Sequence, residues 1–252
     1  MTRWLDPVVA ALDDAASPCP IFFRDDDAGW DDVALGALLD VFERHDVPVD
    51  VAVIPAALDA VLARGLCERA RSARVRLHQH GYAHRNHEVE GRKCEFGPSR
   101  SRVEVARDVA AGRLRLADTL GRDVDPVFTP PWNRCSADTA AALFDQGIRI
   151  LSRDSSATAF ELPGLAEVPV TVDWFGHRKG ARWTRPQLAE RLATCVRGGG
   201  PVGVMLHHAV TDDAERAAID ELVALVARHP RAENVTIDAV ATAPAGSGVR
   251  IP

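Results

Sequence analysis

"PIFFRDDDAG", residues 20–29, carries an apolar run straight into three consecutive carboxylates. A short run of this kind, opened by Pro20 and closed by Gly29, predicts a strand buried on both faces, as in a parallel sheet. Three adjacent carboxylates at its end are costly unless a cation or an arginine offsets them. The simpler alternative is a solvated turn whose aspartates cap the next helix.

Similar runs recur outward from it: "VPVDVAVIP" (47–55), "ARVRLH" (73–78), "PVFTP" (126–130), "IRILS" (148–152), "AEVPVTVDW" (166–174) and "PVGVMLH" (201–207). Helical periodicity separates or follows most of them. In "TDDAERAAIDELVALVARH" (211–229), Ile219, Leu222, Val223 and Val226 fall on one face, and Thr211 stands where a cap belongs. Seven strands alternating with helices predict an α/β fold, a distorted (β/α) barrel of about seven parallel strands; an open doubly wound sheet is the other solution. No repeat or linker interrupts residues 1–252, so a single domain is expected, with a loosely ordered tail at 243–252.

The chain has 252 residues, 46% hydrophobic and 26% charged, with a formal net charge of -6, and its charges do not collect into long runs. That excludes the electrostatic footprint of a nucleic-acid binder. No stretch approaches the roughly 18 apolar residues of a membrane span. Asp6, Asp13 and Asp14 break up the apolar N-terminus, and five scattered cysteines form no C-x-x-C pair. Reduced thiols and a cytoplasmic location are the expectation, with no membrane or nucleic-acid partner and no oligomeric state implied.

The unusual polar residues gather at the C-terminal ends of the expected strands, where ligands bind in parallel α/β folds. Asp25, Asp26 and Asp27 follow the first; His78, His80 and His84 the third; "TPPWN" the fourth; "DW" the sixth; His207 and His208 the seventh. Five elements thus point at one site. The i, i+4 spacing of His80 and His84 would set both imidazoles on one side of a helical turn, within reach of one ion, and an aspartate from a neighbouring strand would complete a hydrolytic metal site. The polar stretch 88–101, after the histidines, has the length of a lid or site wall.

The order of these motifs resembles the polysaccharide deacetylase superfamily (NodB homology, carbohydrate esterase family 4) over residues 20 to 210. "RDDDAG" is similar to its first motif, "HGYAH" to H-[ST]-x-x-H, "FTPPWN" to F-R-P-P-[YF]-G, "VDW" to the end of D-x-x-D-W, and "VMLHH" to its final L-x-H or L-H motif. The resemblance implies a metal held by Asp27, His80 and His84, with Asp26 as general base and His207 as general acid; Asp25 with Asp26, and His208, are the alternatives. It implies one divalent ion, zinc first, with nickel, cobalt or iron also suited to such donors. Trp132 and Trp174 would wall the groove, Asn133 and His78 would touch substrate, and Arg24 and Asp173 would stand behind the reacting groups.

Three positions depart from the pattern. Thr129 replaces an arginine that pairs with the base in relatives, Val170 replaces an aspartate, and Gly81 replaces a serine or threonine; Arg24 is a substitute cation for the base. The function implied is metal-dependent hydrolysis of an amide C–N bond in an N-acetylated sugar or related small glycan. Hydrolysis of a non-sugar amide or cyclic imide, or metal and carbohydrate binding without turnover, are the alternatives.

Overall fold

A computed structural model describes residues 3–178 and 180–243. All but Ala243 of the tail expected to be loosely ordered lies outside them.

Chain order gives α1 (Asp6–Asp13), β1 (Cys19–Ala28), α2 (Asp32–His45), β2 (Val49–Val53), α3 (Ala60–Arg69), β3 (Val75–His80), α4 (Arg102–Leu120), β4 (Asp125–Thr129), α5 (Ala137–Asp145), β5 (Ile150–Leu151), β6 (Ala166–Glu167) and β7 (Val172–Asp173). A small hairpin, β8 (His177–Arg178) with β9 (Ala181–Arg182), precedes α6 (Arg185–Arg197), β10 (Val202–His207), α7 (Asp213–Arg228), β11 (Ala232–Asn234) and α8 (Ile237–Thr242). The main sheet runs β6-β5-β4-β3-β2-β1-β10-β7, with β11 attached to β1, and its pairings are parallel.

The two edge strands prove that this sheet is curled. Only residues 168–171 connect β6 to β7, a link that spans at most about 16 Å. Eight strands laid flat would set their edges about 34 Å apart. The sheet therefore bends round until its edges nearly meet, a distorted barrel rather than a doubly wound sheet. The expected sixth strand, 166–174, is accordingly two strands on opposite edges. Pro169, which has no N–H to give a ladder, stands at the crossing.

Alternation along β1 sorts its side chains. Ile21 and Phe23 join the large outer core with α1, α2, α6 and α7, whereas Phe22 packs inside the barrel with Val127, Ile150, Val168, Val170, Met205 and Ile237. Gly203 on β10 leaves room for Phe22, whose ring tip would lie 2.2 Å from a Cβ there. Val170 is thus a wall of the interior core. In α7 the expected apolar face is buried, but the cap is Asp212, whose carboxylate accepts from Glu215 N at 2.8 Å; Thr211 instead donates its hydroxyl to the His207 carbonyl. Among the described residues, no helix is long and apolar enough to cross a membrane, and the five cysteines are all unpaired.

Candidate active site

Strict alternation would point Asp26 inward and Asp27 outward. A left-handed backbone at Asp27 (φ 72°) and a register shift between β1 and β2 from Asp25 to Ala28 break the alternation. Both carboxylates consequently face one cleft of about 460 Å³, lined by Asp26, Asp27, Trp30, His80, His84, Lys93, Trp132, Asn133 and His207. Asp25 lies on the other face. Its oxygens accept from His208 N (3.0 Å) and His208 Nδ1 (2.6 Å). Asp26 and Asp27 therefore share the cleft, and Asp25 stands outside it.

Among the described residues, Asp27, His80 and His84 form the one group of three or more potential metal donors whose ligand atoms converge, all within 4.8 Å of one another. His80 Nδ1 donates to the Thr129 carbonyl at 3.0 Å, which leaves Nε2 facing Asp27 Oδ1 at 3.1 Å. His84 Nε2 approaches the same oxygen at 3.2 Å. Each imidazole can meet that oxygen by donating an N–H, and with the facing nitrogens deprotonated the three atoms would instead converge on a shared cation. One carboxylate with two nitrogens, tautomer fixed by a backbone partner, is a donor set suited to a divalent ion. The side chains present therefore fit the group that the sequence implied. Burial alone would push the Asp27 carboxyl up; hydrogen bonds from His80 and His84 outweigh it and hold Asp27 well below the usual carboxylate range.

His84 is not on a helical turn. It follows β3 in a tight loop, with left-handed backbone at Gly81 (φ 54°) and His84 (φ 53°), and its ring lies between Trp30 (centroids 4.6 Å apart) and Trp132 (4.4 Å). Gly81 explains the missing serine or threonine: a Cβ there would lie 2.3 Å from Glu95 Oε2 and 2.6 Å from the Pro131 ring. Glu95, 1% exposed, accepts the backbone amides of Ala83 (2.8 Å) and Tyr82 (3.2 Å). A carboxylate from the 88–101 stretch thus holds the loop that presents His84. Glu95→Ala is expected to weaken metal affinity by roughly tenfold, the scale of losing an outer partner of a metal ligand, and titration calorimetry in the His84→Ala background is expected to show no further loss, because Glu95 acts through His84.

Asp26 is held from its own strand. Arg24 sets Nε on Asp26 Oδ1 (2.8 Å) and Nη2 on Oδ2 (2.9 Å), and it also donates to Ser152 Oγ (2.8 Å), the Ser152 carbonyl (3.0 Å) and Asn133 Oδ1 (2.7 Å). Both partners are nearly sealed from water. Burial would raise the Asp26 pKa, but Arg24 first, then His80 and His207, hold it below the ordinary value. Arg24 thus supplies a cation to Asp26, which Thr129 cannot. Thr129 Oγ1 instead meets His78 Nε2 at 2.8 Å. His78 is fully buried and pushed down to about 3, by burial first and then by Arg24. It is a neutral strut behind the cleft and does not line it, because it shares the inward face of β3 with His80 but lies two residues deeper, below the mouth.

Trp174 is a second correction. It is 3% exposed, packs edge-on to Trp4 with centroids 6.2 Å apart, and donates Nε1 to Glu215 at 2.6 Å. It belongs to the outer core because β7 sits at the sheet edge under α6 and α7. Asp173 accepts from Phe175 N at 2.9 Å, and burial raises its pKa against the opposing pull of His207. Sequence reasoning missed Trp30, Lys93 and Ser152 in and around the cleft. Ser152 ends the fifth expected strand, and the same strand-end rule that found the others reaches it; Lys93 lies in the 88–101 stretch expected as a site wall, and Trp30 carried no such signal.

His208 is held between acceptors on both ring nitrogens, Asp25 at Nδ1 and the Trp30 carbonyl at Nε2. Only the imidazolium satisfies both, and although burial opposes the charge, Asp25 raises His208 to about 9 from 6.5. Its folded pKa lies above its unfolded value, so this contribution is complete below pH 6.5 and is lost as pH rises through 9. Denaturant unfolding is expected to show stability falling by roughly 3 kcal/mol across that window, and His208→Gln is expected to flatten the fall. A slope unchanged in the variant would place the titration elsewhere.

No family model and no curated protein matches the sequence. Solved structures do match the fold. A protein from Mycobacterium smegmatis classed with the polysaccharide deacetylases aligns at TM-score 0.70 and 16% identity, over 90% of each chain. The chain shares the polysaccharide deacetylase fold. A family 4 acetyl xylan esterase from Clostridium thermocellum, in complex with a cobalt ion, aligns at 0.57 and 15% over 87% of this chain and 89% of that one. A family 4 pseudoenzyme from Bacillus anthracis aligns at 0.55 and 14%, over 82% of this chain and 59% of that one.

Proposed function

We propose that this protein is a metal-dependent hydrolase of amide C–N bonds, a single catalytic domain that removes the acetyl group from an N-acetylated sugar or small glycan, with zinc in the cytoplasm. One observation carries the reading. The Arg24-held Asp26 stands beside the converging Asp27, His80 and His84, in a cleft that also contains His207. The deacetylase-type neighbours and the unpaired cysteines support it.

A divalent ion bound by Asp27, His80 and His84 would supply Lewis acidity to the acyl oxygen and a more acidic water. The chain's own residues then do the following. Asp26, kept ionised by Arg24, accepts a proton from the water that attacks the acyl carbon. His207, across the cleft, gives a proton to the departing nitrogen as the C–N bond breaks, releasing acetate and a free amine. Each such proton transfer is typically worth about 10²- to 10⁴-fold in rate. Trp30 and Trp132 brace His84 and offer flat faces to a sugar ring, and Asn133 leans on Arg24 at the cleft wall.

The Bacillus anthracis pseudoenzyme gives the rival of binding without turnover a structural precedent. Against it stands the Arg24–Asp26 pair, which keeps a carboxylate ionised in the cleft, as a general base requires. Elemental analysis of the purified protein, followed by acetate release from N-acetylhexosamines alongside small amides and cyclic imides, tests the proposal. One metal per chain and acetate from an N-acetylhexosamine support it. Turnover of imides alone transfers the reading to the non-sugar class, and tight metal and sugar binding without amine release overturns catalysis.

A further inference from the structure

The chain carries 30 basic residues, of which only Lys93 and Lys179 are lysines. Arginine supplies nearly every cation on this protein, yet the basic side chain that lines the cleft is a lysine. Its backbone is pinned on both sides. The Lys93 carbonyl accepts from Arg134 Nη1 (2.9 Å), Cys94 N donates to Asn86 Oδ1 (2.9 Å), His87 N donates to the Cys94 carbonyl (2.9 Å), and Glu95 grips the loop before it. A loop fixed this way holds the Lys93 Cα at the cleft edge while the four-carbon stem stays free to swing.

Charge around this residue is lopsided. Among the described residues Lys93 has no carboxylate within ion-pair distance, and the same holds for its neighbours Arg92 and Arg134. Arg134 is depressed first by burial and then by Arg92, with no carboxylate acting on it. Inside the cleft, Asp26 is already neutralised by Arg24. A protein of net charge -6 thus places one lysine without a carboxylate partner in the lining of its candidate site, with Arg92 and Arg134 adjoining it. Compact ammonium groups with three rotatable donors suit the oxygens of a small anion, whereas the rigid arginine fork is used elsewhere in the chain for fixed pairs.

We propose that the cleft takes an N-acyl substrate bearing a compact anionic group, a carboxylate or a phosphate, which the Lys93 ammonium receives while the acyl group faces Asp26. The inference rests on the hydrolase reading above and narrows its substrate class. The anion lies on the side of the β3–α4 loop, and Trp132, which follows β4, flanks the body of the substrate. Screening weakens the Lys93 contact at high ionic strength, because the ammonium stands at the solvent edge.

The test uses the metal-loaded full chain and three probes: N-acetylglucosamine, N-acetylglucosamine 6-phosphate and N-acetylneuraminic acid. Acetate release gives kcat and KM, and quenching of tryptophan fluorescence, with Trp30 and Trp132 in the cleft, gives binding independently of turnover. At least one anionic probe is expected to exceed the neutral sugar by about tenfold in kcat/KM, expressed in KM; which one does so separates phosphate from carboxylate. In Lys93→Met the ratio of anionic to neutral probe is expected to fall towards one, and in Lys93→Glu below one. Equal use of all three by the wild type, or a preference that survives Lys93→Met, overturns the inference and leaves the hydrolase reading standing if acetate is released. If no probe yields acetate, the hydrolase reading fails on sugars, and the fluorescence arm still decides the anion site: an anionic preference lost in Lys93→Met supports it, and its absence overturns it.

Discussion

Asp26→Asn is expected to keep its metal and lose about 10²-fold or more in kcat, whereas Asp27→Asn, His80→Ala and His84→Ala are each expected to lose roughly tenfold or more in metal affinity. The two outcomes diverge because the side chains face different partners. Asp26 spends its oxygens on Arg24 and has no contact with His80 or His84 within hydrogen-bond distance. Asp27 Oδ1 is the point on which both imidazoles converge. Elemental analysis and single-turnover acetate release on the same preparations separate them. Asp25→Asn is expected to resemble neither, and to lose stability through His208 instead. Full metal occupancy in both histidine variants, or an Asp25 variant that behaves as the base variant, would sink this assignment.

Arg24→Met is expected to damage both stability and chemistry. The guanidinium is completely buried and donates to Asp26, Ser152 and Asn133, so its loss strands a buried carboxylate at a cost of about 3–5 kcal/mol. Asp26 is then expected to titrate higher, since the cation that held it down is gone while burial remains. A base must be ionised to act. The acidic limb of kcat/KM is therefore expected to move to higher pH in Arg24→Met, and by less in Arg24→Lys, which keeps the charge but not the fork. The double variant Arg24→Met/Asp26→Leu is expected to recover most of the stability and none of the activity, because a matched apolar pair removes the stranded charge along with the base. Denaturant unfolding and a pH–rate profile read the two effects apart. An Arg24→Met protein with wild-type stability and pH limb would mean that Asp26 is tethered from elsewhere.

Much of the site was legible because its residues sit where a local rule puts them. The apolar strand of residues 20–24 ends at the aspartates, "ARVRL" ends at the histidines, and "PVGVML" ends at His207; in a parallel sheet all three ends share one side. Within those groups the rule gave no way to choose. Asp25 and Asp26 are neighbours of the same type, as are His207 and His208, and one residue along a strand exchanges the barrel interior for the helical layer. Trp174 failed for that reason: at an edge strand its side chain turned to the outer core, where Glu215 takes its indole N–H.

The sequence by itself determined the parallel sheet, the placement of its strands and the end at which polar residues gather, since apolar runs and helical periods follow from short-range sterics and burial. Only the tertiary structure decided which carboxylates face the cleft, through the left-handed backbone at Asp27. It alone decided that Arg24 pairs with Asp26, and that Glu95 and Gly81 together shape the loop that carries His84. The hydrogen bonds of Glu95 to that loop and of Arg24 to Ser152 join residues 12 to 128 positions apart. No local pattern encodes such pairs, because closing the barrel is what brings them within hydrogen-bond distance.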